Sequence, residues 1–380
     1  MKIAFKYRLY PSKIQIQKIE EQFFEARKLY NACLEQRINA YKSVNRKSLN
    51  YYNQANELKE IRNEGYCNLT NYSACQDIVR RLDKSFQNFF RRIKQGQTPG
   101  FPRFKGKDRF NTITFPSYGN GCKLINDKIY LQGIGKIKIK LHRNLEGIIK
   151  TVSLSRKNDK YYVIFSCEIE IKPLPKTNNA VGIDVGIESF CVTSDAEFVE
   201  NPRYFIKSQK KLRVLQRSVS RKKKGSNCRK KAVKLLSKQH EKISNQRKDF
   251  LHKLSNRIIK ENDIVCIEDL NIKAMSRGFL SKQINDASWS MFFNCLEYKA
   301  EKAGREIIKV NPNGTSQRCH NCGTIVKKDL SERQHRCPVC KVNIHRDLNS
   351  ALEILRRGIC RDNSTYANRQ SVLSKAVCFS

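Results

Sequence analysis

The chain has 380 residues, with 75 Lys or Arg against 35 Asp or Glu, so its formal net charge is +40. A charge of this size repels itself, and nucleic acid is the polyanion that would screen it best. Hydrophobic residues make up 39% of the chain, which excludes broad disorder. The length predicts roughly two to three domains, and no run of about 18 apolar residues could span a membrane.

The sequence of the N-terminal half predicts helices that are inserted into an all-β unit. Residues 1–10 alternate like a strand, and Ser12 with Gln15 forms a capping box that begins an apolar helical stripe. A second helical stripe covers 78–93. Four later segments alternate with a period of two residues and predict strands at 124–131, 134–141, 148–155 and 161–171. This pattern favours a small barrel or an antiparallel sheet.

The C-terminal half alternates strands and helices, which is typical of an α/β domain. VGIDVG and the segment 187–192 predict two strands, and DIVCIEDL at 263–270 predicts a buried strand. Between them, residues 207–240 contain 14 Lys or Arg and no acid. We interpret this stretch as a long basic helix or helical hairpin that contacts phosphates rather than only solvent.

Basic residues in two regions are candidate nucleic-acid contacts. One set flanks the 78–93 stripe and the other belongs to the 207–240 stretch. The candidates are Arg80, Arg81, Lys84, Arg91, Arg92, Lys222, Lys223, Lys224, Lys230 and Lys231. Exposed aromatic residues could also stack on bases, with Tyr51, Tyr52, Phe101 and Phe104 as candidates. The only tryptophan, Trp289, is expected to be a core residue.

Four of the 15 cysteines form two Cys-x-x-Cys pairs, Cys319 with Cys322 and Cys337 with Cys340, separated by 14 residues. Two such pairs can close a tetrahedron of thiolates around zinc. His320 and His335 could replace a cysteine, but four sulfurs already complete the coordination. A closed Cys₄ site has no open position, so we expect this zinc to be structural. The remaining cysteines fit free thiols in a reducing cytoplasm, because no export signal precedes them.

Three acidic residues are candidate metal ligands, although a single acid at a strand end more often hydrogen-bonds a turn or caps a helix. Asp184 lies inside the apolar strand VGIDVGI, Glu268 ends the run IVCIE, and Asp347 precedes a predicted helix, LNSALEIL. A buried unpaired carboxylate is costly, and divalent magnesium or manganese would relieve that cost. Two such ions can activate water for phosphodiester hydrolysis. Side chains alternate across a strand, so Glu268 is preferred over its neighbour Asp269.

The ordered motifs GIDVGI, IEDL and TSQRCHNCG…CPVC…HRDLNSALEIL resemble the TnpB (OrfB) family of insertion-sequence-encoded proteins, which is related to type V CRISPR effectors. The N-terminal FKYRLYPSKIQ and the segment PGFPRFK share this resemblance, which covers residues 1 to about 358. The resemblance implies an RNA-guided DNA endonuclease of a transposable element. It also implies a guide RNA from the element end, a double-stranded DNA target beside a short flanking motif, and a cytoplasmic, nucleoid-associated location.

By position, Asp184, Glu268 and Asp347 match the family's catalytic acids, which would bind two Mg²⁺ or Mn²⁺ ions. The four cysteines match its zinc-binding insertion. The resemblance implies an α+β multidomain protein: an N-terminal β-barrel (wedge) with an inserted helical recognition domain, and a C-terminal RNase H-like (RuvC) α/β domain with an inserted zinc ribbon. The corresponding boundaries are 1–10 and 98–178 for the wedge, 11–97 for the recognition domain, 179–318 for the RuvC-like domain, 319–341 for the ribbon, 342–360 for the last RuvC helix and 361–380 for a disordered tail.

One position departs from the family pattern: His345 stands two residues before Asp347, where an acid is common, and this change could alter metal affinity. Two other functions remain open at this point. A guide-independent nuclease of the same fold would cut without RNA, and an accessory nucleic-acid-binding regulator would not cut at all. The retention of all three acids disfavours the regulator.

Overall fold

The computed structural model describes residues 1–44, 46–329 and 332–360, apart from the side chain of Asp108. The predicted disordered tail, 361–380, lies outside these residues. Two compact units divide the chain, Met1–Glu170 and Ile171–Ser380. In the part of the chain that is described, no helix is long and apolar enough to cross a membrane.

The first unit is built on one antiparallel sheet of seven strands. The strands are β1 (Lys2–Tyr10), β2 (Thr112–Phe115), β3 (Cys122–Ile125), β4 (Lys128–Leu131), β5 (Gly135–Lys140), β6 (Ile148–Lys157) and β7 (Lys160–Glu168). Their spatial order is β2-β6-β7-β1-β5-β4-β3, so the first strand lies in the middle of the sheet. Among the described residues β2 and β3 each pair with one strand only. The sheet is therefore a half-barrel with two edges, and of the two predicted alternatives it is the antiparallel sheet rather than a closed barrel.

The predicted single strand at 124–131 is wrong, because the chain turns in its middle. Asn126 adopts a positive φ of 51°, and the two flanking segments pair as the hairpin of β3 and β4. Asparagine tolerates this left-handed backbone better than most residues. The alternation of apolar and polar side chains continues on both sides of this short turn. Periodicity alone therefore does not reveal the turn.

Three helices pack on this sheet and share its hydrophobic core. They are α1 (Lys13–Lys42), α2 (Tyr51–Asn63) and α3 (Tyr72–Lys94). The predicted capping box at the start of α1 is present: Ser12 Oγ accepts from the backbone N–H of Gln15, and the Gln15 side chain accepts from the backbone N–H of Ser12. The sequence did not reveal α2, whose few buried residues include Ala55 and Leu58.

The second unit contains a five-stranded mixed sheet and a separate two-stranded one. Its strands are β8 (Ala180–Val185), β9 (Ser189–Thr193), β10 (Phe198–Glu200), β11 (Ile264–Glu268), β12 (Glu306–Val310), β13 (Gln334–Arg336) and β14 (Asn343–His345). The large sheet has the order β10-β9-β8-β11-β12, in which β8, β11 and β12 run parallel and β9 and β10 are antiparallel to their neighbours. The strands β13 and β14 form an antiparallel hairpin.

Six helices accompany these sheets in the described part of the second unit. They are α4 (Tyr204–Ser220), α5 (Asn227–Glu261), α6 (Ile272–Met275), α7 (Ser281–Ala287), α8 (Trp289–Ala303) and α9 (Arg346–Ile359). The predicted basic stretch forms the hairpin of α4 and α5. Trp289 is 3% exposed and belongs to the core, as expected.

Candidate metal sites and nucleic-acid interface

The register of two parallel strands places Asp184 and Glu268 side by side. In the pairing of β8 with β11, Ile183 lies opposite Ile267, and the two acids are the next residues along each strand. Parallel strands end at the same edge of a sheet, so both carboxylates belong to one edge. Glu268 is 9% exposed whereas Asp269 is exposed to solvent, because consecutive side chains point to opposite faces.

Asp347 reaches the same edge because α9 packs directly on β8. The contact requires Gly182: a Cβ at this position would lie 2.2 Å from the backbone oxygen of Ala351 and 2.8 Å from Cβ of Leu355. Asp347 lies in the first turn of α9. His345 caps that helix, since its Nδ1 accepts from the backbone N–H of Asp347 at 3.2 Å. The histidine that departs from the family pattern thus has a structural role here.

The three acids, called the acidic triad below, interact electrostatically. Burial raises the pKa of Asp184 well above its ordinary value, and the charges of Glu268 and Asp347 raise it further. The charge of Arg346 opposes this shift. Burial also raises the pKa of Glu268, against the hydrogen bond from Thr315 and the charge of Arg357. Carboxylates that repel one another in this way form a donor set suited to a divalent cation.

The four predicted cysteines, called the cysteine cluster below, meet at one point. Sγ of Cys319 lies 3.6 Å from Sγ of Cys340, and Sγ of Cys322 lies 3.4 Å from Sγ of Cys337. These distances exceed a disulfide bond of about 2.05 Å. They approach the separation of about 3.8 Å between sulfurs in a tetrahedron with Zn–S bonds of about 2.3 Å. The residues therefore fit a zinc ion.

The two Cys-x-x-Cys segments fold into matching turns. In the first, the N–H of Gly323 donates to the oxygen of Cys319 at 2.9 Å, and in the second the N–H of Lys341 donates to the oxygen of Cys337 at 3.0 Å. Both Gly323 and Lys341 have positive φ, 77° and 64°. The residue after the second cysteine thus takes a left-handed conformation in each turn, which glycine adopts freely and lysine only at a cost.

Two of the thiols are already biased toward the thiolate that zinc requires. Hydrogen bonds from Thr324, whose Oγ1 lies 3.3 Å from Sγ, lower the pKa of Cys322 to about 6. A backbone hydrogen bond from Val342 lowers the pKa of Cys340. Burial instead raises the pKa of Cys319 to about 12. A metal ion would overcome that burial by compensating the charge directly.

The cysteine cluster is attached to α9 through one buried amide. Asn349 is fully buried, and its Nδ2 donates to the oxygen of Arg318 at 2.8 Å. Its Oδ1 accepts from the backbone N–H of His320 at 3.1 Å and lies 3.1 Å from the Nδ1 of the same histidine. His335 is also buried and contacts Nζ of Lys328 through its own Nδ1 at 2.5 Å. Both histidines therefore have partners other than a metal.

The two candidate metal sites differ in the distances between their potential ligand atoms. Within the described ranges, the cysteine cluster is the only group of three or more His, Cys, Asp or Glu whose potential ligand atoms all lie within 4.8 Å of one another. The acidic triad does not meet that spacing. Two ions about 4 Å apart can bridge such a wider set of carboxylates.

The candidate nucleic-acid contacts differ in whether their side chains already have partners within the protein. Arg81 is engaged inside the first unit, because it pairs with Asp77 at 2.7 Å and donates to the oxygen of Thr112 and to Thr114. Arg80 lies over the ring of Tyr51. The side chains of Lys84, Arg91, Arg92, Lys223, Lys224, Lys230 and Lys231 are exposed, and Lys222 is half-buried with its Nζ bonded to Ser218.

Three of the four aromatic candidates are exposed, and the fourth, Tyr51, is half-buried against the core of the first unit. Tyr52 is 73% exposed and Phe104 is 53% exposed. Phe101 is 48% exposed on one side and packs edge-to-face against Phe86 and Phe89 of α3 on the other. A ring held in this way keeps its orientation before a base arrives.

Sequence reasoning missed three residues that hold the triad and the cluster in place: Thr315, Asn349 and Arg357. Each is polar and lies within or near a motif whose acids or cysteines are the residues that indicate a metal site. A signal existed for Asn349, because it follows Asp347 by two residues at the start of the amphipathic helix. The contacts of Thr315 and Arg357 depend on the tertiary fold.

Comparison with known families matches most of the chain. The profile OrfB_IS605, described as "Probable transposase", matches residues 164–278. A helix-turn-helix profile named for the same family matches residues 1–47, and a Cas12f1-like TNB domain profile matches residues 289–354.

Two relatives extend the similarity to nearly full length. Both are named "Putative RNA-guided DNA endonuclease". The one from Streptomyces pristinaespiralis is 33% identical and covers 94% of this chain and 90% of its own length. The other, InsQ from Escherichia coli (strain K12), is 30% identical and covers 93% and 92%. The chain belongs to the TnpB (OrfB) family. The resemblance found in the sequence is thereby confirmed.

A solved structure shares the fold with this TnpB-family chain. The mini-RNA-guided endonuclease CRISPR-Cas_phi3 aligns with a TM-score of 0.50 at 10% identity, covering 94% of this chain and 92% of that protein. At this identity the match concerns the fold alone. The mixed α+β architecture is thus that of a known guided endonuclease.

Proposed function

We propose that this protein is an RNA-guided DNA endonuclease that hydrolyses phosphodiester bonds at a target matched by its guide. The observation that carries the proposal is the acidic triad at one sheet edge, in a chain whose near full-length relatives carry that name. The parallel register and the packing of α9 on β8 bring together three acids that are up to 163 positions apart in sequence.

We divide the chain into one part that binds nucleic acid and one part that cleaves DNA. The half-barrel and its helices, 1–178, would act as wedge and recognition domains that hold guide RNA and the DNA flank. Residues 179–360 would form a RuvC-like nuclease with the ribbon at 319–341. A sheet with three parallel strands, two antiparallel strands and a helix packed on its first strand supports an RNase H-like arrangement.

In the active site, Asp184, Glu268 and Asp347 would hold Mg²⁺ or Mn²⁺. Such ions, when bound, activate water and stabilise charge on the leaving oxygen. The chain contributes fixed carboxylates: Thr315 donates to Oε1 of Glu268, and the charges of Arg346 and Arg357 favour ionised acids. No nucleophilic side chain is required.

The cysteine cluster would hold one structural zinc ion. All four positions of its tetrahedron would be occupied by sulfur, so it would supply no catalytic position. Its contribution would be to stabilise the ribbon beside α9.

Guide RNA and double-stranded target DNA are the partners that the +40 charge favours. We assign them to the exposed basic residues of α3, of the turn between α4 and α5 and of the start of α5, together with the exposed aromatic rings. Arg81 is the weakest candidate, because its guanidinium group already serves the fold.

The test uses the purified full-length protein with its co-purified RNA, matched DNA and Mg²⁺. Asp184→Ala should abolish cleavage and leave RNA binding intact, whereas Asp269→Ala, a change at the exposed neighbouring acid, should cut normally. Cleavage by RNA-free protein would identify a guide-independent nuclease instead. RNA and DNA binding without cleavage by the unaltered protein would favour a regulator. Sequencing the co-purified RNA identifies the guide.

A further inference from the structure

The loop between β12 and the first Cys-x-x-Cys turn, residues 311–318, brings a buried hydroxyl to the acidic triad. Thr315 is 2% exposed, and its Oγ1 lies 2.5 Å from Oε1 of Glu268 and 3.0 Å from the oxygen of Pro312. A hydroxyl has a single hydrogen, and a carboxylate accepts it more strongly than a carbonyl. The geometry therefore favours donation to Glu268.

This loop, called the 311–318 loop below, is fixed at its start by α9. Nη1 of Arg357 donates to the oxygen of Asn311 at 3.0 Å and to the oxygen of Asn313 at 2.7 Å. Nε of the same arginine donates to Oε1 of Glu353 at 2.8 Å, and Glu353 is fully buried. The arginine is thus oriented from the helix side before it contacts the loop.

The same helix fixes the end of the loop. Asn349, one turn after the start of α9, donates to the oxygen of Arg318 at 2.8 Å and accepts from the N–H of His320 at 3.1 Å. Thr315 lies between these two attachments. The loop therefore cannot move far from Glu268 without breaking hydrogen bonds to the helix that also carries Asp347.

A glutamate side chain has three rotatable bonds, and fixing them costs conformational entropy. Two features restrict Glu268 before any ion binds: its burial and the Thr315 hydrogen bond. Residues that orient metal ligands in this way commonly change metal affinity or activity by 10- to 100-fold when they are removed.

We propose that Thr315 is a positioning residue that holds the Glu268 carboxylate in the orientation that binds the divalent cation. The 311–318 loop links this orientation to α9 and so to Asp347. The inference rests on the proposed function, since it assumes that Glu268 is a metal ligand. It adds a residue outside the acidic triad on which metal binding depends.

The experiment compares three variants of the full-length protein with its RNA. Thr315→Val removes the donor and keeps the shape, Thr315→Ser keeps the donor, and Ser316→Ala removes the neighbouring half-exposed hydroxyl as the matched control. Mn²⁺ affinity is measured by electron paramagnetic resonance, and cleavage is measured against Mg²⁺ concentration. We expect Thr315→Val to weaken Mn²⁺ binding and raise the half-maximal Mg²⁺ concentration about tenfold. Thr315→Ser should stay within about twofold of the unaltered protein, and Ser316→Ala should not change.

A second comparison separates positioning from loop packing. In a Glu268→Gln background, Thr315→Val should weaken the remaining Mn²⁺ affinity no further, because its effect acts through that carboxylate. Unchanged Mn²⁺ affinity in Thr315→Val overturns the proposal. So does a Thr315→Ser variant as impaired as Thr315→Val, or a full additional loss in the Glu268→Gln background. These readouts decide the question even if Thr315→Val lowers the melting temperature.

Failure of the proposed function has a different signature. If the unaltered protein does not cleave, but Thr315→Val still weakens Mn²⁺ binding, the endonuclease proposal fails and the positioning role stands. If the unaltered protein cleaves and Thr315→Val shows the same Mg²⁺ dependence, the positioning role alone fails.

Discussion

The acidic triad and the cysteine cluster belong to the same unit but are assembled in opposite ways. The four cysteines lie within 22 consecutive residues and already have their sulfurs within 4.8 Å of one another. The triad is collected from two strands and a helix, and its charges raise the pKa of Asp184. The cysteine cluster is local in sequence and compact, whereas the triad is assembled from distant segments and its like charges repel one another.

Each arrangement suits a different role for its metal ion. A closed site of four soft ligands gains stability from its metal and offers no position to a substrate. An open site of carboxylates loses stability without its metal and can share coordination positions with water and phosphate oxygens. We therefore expect changes to the two sites to move stability in opposite directions.

The largest expected effect comes from Asp184→Asn, which should abolish cleavage while stabilising the metal-free protein. The pKa of Asp184 is higher in the folded than in the unfolded chain, so stability decreases as the pH rises from about 3.9 through the folded pKa. Asparagine removes this loss at neutral pH. We expect the melting temperature without divalent metal to rise by about 2–4 °C.

Differential scanning fluorimetry at pH 5 and pH 8, with EDTA and with Mg²⁺, checks this prediction. The gain from Asp184→Asn should be larger at pH 8 and should shrink when Mg²⁺ stabilises the unaltered protein. Asp269→Asn is the control, because this neighbouring acid is exposed. A lower melting temperature for metal-free Asp184→Asn would show that the triad is not under repulsion.

Cys337→Ser should act in the other direction and destabilise the protein. Removing one sulfur leaves an incomplete tetrahedron, and zinc binding by such sites is coupled to folding of the surrounding segment. We expect the zinc content to fall from one ion per chain toward zero and the ribbon to become sensitive to protease. Cys228→Ser, at an exposed cysteine of α5, should retain zinc. A full zinc content in Cys337→Ser would contradict the Cys₄ assignment.

Most residues of the two candidate metal sites could be predicted from the sequence, for physical reasons. A Cys-x-x-Cys pair is a local turn, so its spacing alone predicts the ligand geometry. The acids of the triad could be singled out because Asp184 and Glu268 occur in apolar runs where a lone carboxylate is costly. The resemblance to the TnpB family then connected them with Asp347.

What could not be predicted depends on contacts between distant segments or on weak local patterns. The turn at Asn126 lies inside a continuous alternation, and α2 buries too few apolar residues to produce a clear stripe. The sequence cannot show that Arg81 serves the fold, because its partners Thr112 and Thr114 lie on a strand more than 30 residues away. Basic side chains that serve the fold look the same in sequence as those that bind phosphate.

A smaller effect is expected from Asn349→Ala, which removes one link between α9 and the cysteine cluster. The variant removes an amide donor to Arg318 and an acceptor for His320 in a fully buried position. Leaving these groups unsatisfied should cost about 2 kcal/mol of unfolding free energy. Urea denaturation measures the loss, and the exposed Asn294→Ala on α8 should change the free energy by less than about 0.5 kcal/mol. Equal midpoints would mean that α9 does not need this link.

The smallest effect is expected from Lys223→Ala combined with Lys224→Ala in the exposed turn between α4 and α5. If both lysines contact phosphates, nucleic-acid affinity should fall and the slope of log affinity against log salt should decrease by about 0.7–0.9 per lysine. The pair Lys123→Ala and Lys128→Ala, exposed on the β3–β4 hairpin, removes the same charge elsewhere. Filter binding of the co-purified RNA and of target DNA across a salt series measures both slopes. An equal decrease for both pairs would mean that net charge, rather than this turn, determines binding, and the basic hairpin would lose its assignment as a specific contact surface.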